Sequence, residues 1–321
     1  LGAGLDDTLS AMTINQVCGS GLQSVMLASQ SIRAGDNDVV IAGGFESMSR
    51  APHLADVRRG IKYGGAKLRD HLADDGLTCV FENWPMGNAA DHIARRHDIS
   101  REEQDRYSVQ SHERAAAATD AGHFAVEMIP LEAGVVKQKA DVTADEGVRR
   151  DTSAEAMAKL RPAFAPDGTV TAGNASQISD GAAALIVASE RAAGELGGEP
   201  LARIVDAYTS GVAPKEIFHA PAIGIQALLD RNGLKVADVD LVELNEAFAA
   251  QVLANIKVLG IPEDKLNVCG GGVALGHPIG ASGARILTTL LHQLARTGGR
   301  RGIASLCLGG GNSVSMLIER G

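Results

Sequence analysis

Apolar residues along this chain alternate between two spacings. Leu22, Val25, Met26, Ser29 and Ile32 fall three or four apart, which predicts a helix over Leu22–Arg33. The short, apolar-leaning stretch Thr13–Val17 just before it reads as a strand, with Gly19-Ser20-Gly21 as the turn between them. Gly35-Asp36 ends the helix. The continuous apolar run Val39–Ala42, closed by Gly43-Gly44, predicts a buried strand with a sharp exit.

The far end of the chain repeats this order. Leu266–Cys269 reads as a strand leading into Gly270-Gly271-Gly272, followed by a helix over Ala281–Arg296 that stops at Gly298-Gly299. Gly302–Leu308 is an apolar strand closing on Gly309-Gly310-Gly311. Two units that share this punctuation predict a duplicated α/β core.

Before its copy of the unit the second half carries β-α-β-α signals at Ala202–Ala207, Ala222–Leu234, Leu241–Leu244 and Ala247–Leu259. The first half has only Leu1–Met12 there. If the halves match, a segment of about 60–70 residues precedes this sequence, and the first sheet is left with an unpaired edge.

Between the halves the character changes. Charges are dense, strand signals are weak, and Ser100 with Glu103 forms a capping box ahead of an amphipathic helix over Ser100–Ala118. Apolar strand pattern resumes at Gly181–Ala188. The implied organisation is a first half over 1–49, an inserted domain over 50–178, a return over 179–196 and a second half over 197–321.

Composition narrows the chemistry. The 39 acidic residues outnumber 30 basic ones for a net charge of −9, which disfavours a nucleic-acid binder dependent on phosphate neutralisation. Aromatic residues at 3% leave few stacking platforms. The uncharged stretch Leu266–Gly283 is broken by glycines, a proline and a histidine, so no membrane span is expected. Leu1–Ala11 shows no signal-peptide pattern, and a cytoplasmic location is the expectation. Glycine is abundant, with 38 among 321 residues against a usual share of about 7%.

Four cysteines, Cys18, Cys79, Cys269 and Cys307, stand far apart with no Cys-x-x-Cys, so neither a zinc site nor a disulfide framework is expected. Cys18 stands at the turn into the first helix, where free N–H groups and the helix dipole lower a thiol's pKa. This favours a nucleophile over a small buried residue at a tight turn. His277 is locked between Gly276 and Pro278 before a helix, where an imidazole can act as base. Cys307 leads into Gly309–Gly311, whose amides could line an oxyanion pocket, although a buried inert thiol is the alternative. Asn245, opening a helix, is either an N-cap or the holder of a water that stabilises negative charge. Together these groups suit transfer of an acyl group through a thioester on one cysteine.

Five co-linear motifs bear a family likeness. Asn15–Gly21, Gly43-Gly44 with Glu46–Ser49, Asn245–Gln251, Gly276–Gly283 and Cys307–Gly311 resemble those of the thiolases, acetyl-CoA C-acyltransferases, in order across the chain. The resemblance implies the thiolase fold, a five-layered αβαβα core of two similar halves with an inserted loop domain that grips CoA. It implies Claisen condensation of two acetyl-CoA, or thiolytic cleavage of 3-ketoacyl-CoA, as in fatty acid metabolism and β-oxidation. The resemblance further makes Cys18 the acyl acceptor activated by His277, and Cys307 the proton carrier at the α-carbon of the second acetyl-CoA. Asn245 (through a water) and His277 would hold one thioester oxyanion, and the amides of Cys18 and Gly309 the other. Arg149, Phe164, Ala172 and Ser176 resemble CoA contacts, and Leu77, Met86, Ala247 and Phe248 the acyl tunnel. No metal or further cofactor is implied, CoA thioesters being substrates, and a homodimer or homotetramer is.

The likeness has local departures. Pro85 stands where many acetoacetyl-CoA thiolases have His, Ala156 where a CoA-contacting Ser is frequent, and Ile217–Pro221 replaces Met-Gly-x-Gly-Pro. These bear on chain-length preference rather than reaction class. Arg58, Arg59, Arg149, Arg150, Lys159 and Arg161 are candidate attractors for CoA phosphates, or simply a solvated face. Two other functions stay open: a decarboxylating ketoacyl synthase, which usually carries a histidine where Asn245 stands, and a catalytically impaired CoA-binding protein.

Overall fold

In the computed structural model, which describes residues 1–321, Gly19 caps the first helix, α1 (Ser20–Ala34), and left-handed Gly35 closes it. Strand β1 (Val39–Ser47) follows. The chain leaves the sheet after Ser47 and rejoins it at β6 (Asp180–Ala188), which pairs antiparallel with β1 along its whole length. Ser49 N and Oγ both bond to Asp180, at 2.9 and 2.5 Å, and tie the two ends of the excursion.

Within the excursion lie two short ribbons, β2 (His53–Leu54) with β3 (Arg69–Asp70) and β4 (Thr78–Cys79) with β5 (Trp84–Pro85). Helices α2 (Met86–Arg96), α3 (Arg101–Asp120), α4 (Ala133–Val136) and α5 (Ala154–Ala158) complete it. The capping box read from Ser100 and Glu103 forms in both directions at the start of α3.

After α6 (Glu190–Leu196), the second half builds a four-stranded sheet from β7 (Arg203–Gly211), β8 (Leu241–Leu244), β9 (Arg301–Leu308) and β10 (Asn312–Glu319). Their spatial order is β7-β10-β9-β8, antiparallel except for the β8–β9 pair. Helices α7 (Ala220–Arg231), α8 (Ala249–Leu259), α9 (Gly272–Leu275) and α10 (Ser282–Thr297) connect these strands.

Side-chain alternation sorts the layers. Ile303 and Cys307 of β9 face a core shared with α7 and α8, whereas Ala304, Leu306 and Leu308 face one shared with α1 and α10. Thus α1 and α10 are buried between the two sheets, and α7 and α8 cover the second sheet from outside. The opposite face of the first sheet exposes Val39, Ile41, Phe45 and Ile186.

Three local expectations do not hold. Thr13–Val17 forms no strand; Gln16 and Cys18 take part only in an isolated bridge. There Asn15 Oδ1 accepts from Val17 N at 2.9 Å and Ser20 Oγ from Gln16 N at 2.9 Å, so side chains take the backbone groups that a ladder would use. Leu266–Cys269 likewise reduces to one bridge, Val242 to Leu266. Asn267 is left-handed (φ 46°), and its amide bonds to both Leu244 N and Leu244 O in place of a strand neighbour. Finally, Gly43-Gly44 does not end β1 but lies within it. A Cβ at either position would collide with the backbone of Ala183 or Gly280, so these glycines serve close approach, not an exit.

Candidate active site

Cys18 is built on a strained turn. Val17 before it has φ 50°, a costly left-handed conformation for a β-branched residue. Ser20 Oγ donates to Val17 O at 2.7 Å and Asn15 accepts from Val17 N, so the turn is pinned from both sides. The result is a half-buried Cys18 one residue ahead of the α1 cap.

Glycines bring the other loops against this turn. A Cβ on Gly21 would stand 2.7 Å from Ala284 N and 3.1 Å from Gly280 O, so α1 packs directly on the loop after His277. A Cβ on Gly19 would overlap Leu308, and one on Gly309 would lie 3.3 Å from Val17 Cγ2. Glu46 Oε2 accepts from Gly280 N at 3.2 Å and fastens that loop to β1. The backbone N–H groups of Cys18 and Gly309 donate to no other residue, that of Cys18 lying against its own sulfur. Two amides from adjacent loops with no other residue as partner are what an oxyanion hole requires.

His277 is buried, with Nδ1 2.6 Å from Ser282 Oγ and both ring nitrogens 3.4 Å from Asn245 Nδ2. Burial, assisted by the Arg285 charge, lowers its pKa to about 4, so the imidazole is neutral near pH 7. Asn245 is fully buried, held by its own N–H on Ser305 O at 3.0 Å, and its Oδ1 has no protein partner. It is therefore not an N-cap: α8 begins at Ala249, and Phe248 occupies the cap position.

The thiols behave otherwise than the helix dipole alone suggests. Burial, with a smaller contribution from Glu46, pushes Cys18 up to about 12. Burial raises Cys307 as well, and the neighbouring Cys18 adds to it. The expectation of a lowered Cys18 pKa is corrected accordingly: the cost of desolvating a thiolate dominates, and the thiol needs a base. Neutral His277 is that kind of group.

Residues 174–179 stitch the loops together. Ser176 N donates to Ala247 O at 3.0 Å, Ala249 N to Asn174 O at 2.9 Å and His277 N to Gln177 O at 3.4 Å. Gln177 Nε2 reaches Gly147 O, Val273 O and Ala274 O. Ser176, Ala247 and Phe248 thus meet beside Asn245. Phe248 packs edge-on against Phe164 and Phe218, at 6.2 and 5.4 Å between ring centres, and Met86 lies against the same cluster. Leu77 ends a π-helical turn whose Gly76 abuts Ile279.

Other sequence candidates lie at the surface. The Arg149 side chain is exposed, while its N–H donates to His112 Nδ1 at 3.1 Å. Ala172 is exposed. Arg150 is engaged with Asp120 at 2.7 Å. Gln177, Ser282, Glu246 and Asn267 were given no role from the sequence, Glu246 and Ser282 standing only within motifs, because nothing local distinguishes a polar residue that bonds to a distant loop. All four cysteines are free, no group of His, Cys, Asp or Glu is placed to hold a metal ion, and no helix is long and apolar enough to cross a membrane.

Comparison with known proteins fits this geometry. A family model described as "Thiolase, N-terminal domain" matches residues 1–191, and one described as "Thiolase, C-terminal domain" matches residues 198–320. The acetyl-CoA acetyltransferase of Chromobacterium violaceum is 51% identical, covering 99% of this chain and 82% of that protein. That of Shinella zoogloeoides is 48% identical, covering 99% and 81%. Human mitochondrial 3-ketoacyl-CoA thiolase superposes with a TM-score of 0.96 at 45% identity, covering 99% of this chain and 81% of that structure. Its complex with CoA gives 0.95 at the same identity, covering 99% and 80%.

Proposed function

This chain belongs to the thiolase family and is an acyltransferase of the thiolase type, and from that premise we propose that Cys18, His277, Cys307, Asn245 and Gly309 form its reaction centre. The observation that carries the reading is the meeting of four separate loops. Asn245 contacts the His277 ring, Gly21 behind Cys18 packs on Gly280, and Gly309 faces Val17.

In thiolysis, Nε2 of His277 takes the Cys18 proton and the sulfur attacks the keto carbon of a 3-ketoacyl-CoA. The Cα–Cβ bond breaks, the electron pair leaves on the α-carbon of acetyl-CoA, and the Cys307 thiol supplies its proton. Free CoA then gives up its thiol proton to the Cys307 thiolate, attacks the acyl-Cys18 thioester and releases the shortened acyl-CoA, while the His277 imidazolium returns its proton to the departing Cys18 sulfur. Condensation of two acetyl-CoA is the reverse. The Cys18 and Gly309 amides stabilise the oxyanion on the acyl-enzyme; Asn245, through a water, and His277 stabilise that on the CoA thioester.

Leu77, Met86, Ala247 and Phe248 form the acyl site in this reading, and Arg149, Phe164, Ala172 and Ser176 contact CoA. The contacts of Ser176 with Ala247 and of Phe164 with Phe248 support the continuity of the two regions. Steady-state thiolysis across acyl lengths tests the tunnel. The reading also includes a cytoplasmic role in acyl-CoA metabolism, β-oxidation among its forms, as a homodimer or homotetramer with no further cofactor. The exposed apolar residues of the first sheet support an association surface, and light scattering reads its stoichiometry.

The direct test is incubation with acetyl-CoA followed by peptide mass mapping. The expected result is one acetyl group on Cys18 with stoichiometric CoA release, both abolished by C18A. Acetylation elsewhere, or none with CoA still bound, overturns the assignment.

A further inference from the structure

Glu246 follows Asn245 directly, has no role in the chemistry above, and is fully buried. A carboxylate withdrawn from water is strongly unfavourable unless every oxygen is bonded. Here Oε1 accepts from Tyr107 Oη at 2.8 Å and Asn267 Nδ2 at 3.0 Å, and Oε2 accepts from Ser111 Oγ at 2.7 Å and Val273 N at 3.1 Å. Four donors surround one carboxylate, and burial keeps the Tyr107 phenol protonated as one of them.

Those donors come from separate parts of the molecule. Tyr107 and Ser111 lie on α3 of the excursion, and Asn267 grips the end of β8 through Leu244. Val273 lies in α9, the short helix that runs into Gly276 and His277. Gly271 and Gly272 are pressed onto Glu246, where a Cβ would strike its side chain or its carbonyl. Asn245 is meanwhile anchored by Ser305 O on β9. Glu246 therefore fixes the Asn245 loop and the His277 loop to the same support.

We propose that Glu246 is a positioning residue that sets the Asn245 amide against the His277 ring and couples α3 of the inserted region to that contact. The inference rests on the reading of Asn245 and His277 as an oxyanion-stabilising pair. Replacing Glu246 by Gln tests it with little change of shape. In either orientation the amide NH2 faces a donor that cannot reverse: Val273 N–H, or Asn267 Nδ2 held by Leu244 O.

For E246Q the expected result is a thiolysis kcat at least tenfold lower, with KM for both substrates and the alkylation rate of Cys18 within twofold of the parent. S111A, which keeps the carboxylate but removes the hydroxyl that donates to Glu246 Oε2 and accepts from Gly271 N, lowers kcat three- to tenfold. In an N245A background, E246Q costs less than twofold more, since its effect passes through Asn245. If E246Q fails to fold, S111A and Y107F are carried through the same cycle. A kcat within twofold of the parent in these variants, or penalties that multiply with that of N245A, overturns the proposal. Absence of Cys18 acetylation in the unmutated enzyme overturns the reaction-centre assignment instead.

Discussion

Nδ1 of His277 lies 2.6 Å from Ser282 Oγ, and that hydroxyl donates onward to Pro278 O at 2.9 Å. With its own proton committed to the carbonyl, the hydroxyl accepts from the ring, which places the imidazole hydrogen on Nδ1 and leaves Nε2 as the base. Removing the hydroxyl in S282A frees the ring to change tautomer and to rotate. The expected loss in kcat is about tenfold to a hundredfold, with partial recovery in S282T. Steady-state thiolysis of the two variants checks this; an S282A enzyme at full rate rules out the tautomer assignment.

The reactive state of Cys18 has a pH signature. The thiol is raised to about 12 and the imidazole lowered to about 4, so a neutral pair, not a thiolate–imidazolium pair, is present at pH 7. Alkylation by iodoacetamide, followed by peptide mapping, should accelerate continuously from pH 7 to pH 10. H277A should slow it at least tenfold at pH 7.5. A plateau established below pH 7 means that the thiolate is already formed.

Gly21 separates the Cys18 and His277 loops by the thickness of a backbone. An added Cβ would meet Ala284 N at 2.7 Å and Ala281 O at 3.2 Å, neither of which can swing aside. G21A should cost about 1–3 kcal/mol of stability and lower kcat at least tenfold by displacing Cys18 from His277. G194A, in open space on α6, should instead be neutral or stabilising by up to about 1 kcal/mol. Denaturant midpoints and kcat for the pair decide the matter.

Stability should pass through a maximum in mildly acidic solution. Burial holds the Glu243 carboxyl up to about 8 despite Arg285 at 3.7 Å, and holds Glu127 up to about 7. Unfolded carboxyls ionise near 4.5, so the folded state binds more protons between pH 4.5 and 8 and stability falls as pH rises through that window. For His277 the folded value of about 4 lies below the unfolded 6.5, so stability is lost as pH falls through that interval. E243Q should flatten the alkaline side of a melting-temperature profile measured from pH 5 to 9. An unchanged alkaline slope removes Glu243 as its cause.

Residues whose role is set by immediate neighbours could be identified from the sequence. The helices behind Cys18 and His277, strands β8 and β9, and the capping box at Ser100 follow from periodicity and punctuation, since backbone hydrogen bonding and amphipathic burial act over a few residues. The turns that carry Cys18 and His277 were legible for the same reason, each being framed by glycines. The Thr13–Val17 and Leu266–Cys269 strands failed because Asn15, Ser20 and Asn267 divert the backbone bonds with their side chains. Their apolar neighbours give no sign of that diversion.

Spacing and residue type thus determined the duplicated α/β plan and the two candidate groups, because those depend on local order along the chain. The partners that surround those groups came only with folding: Ser282 on the ring, Glu46 on Gly280, Glu246 beneath Asn245, and the burial that reversed the Cys18 pKa expectation. Desolvation and hydrogen bonds between distant loops depend on three-dimensional distance, which sequence separation does not encode.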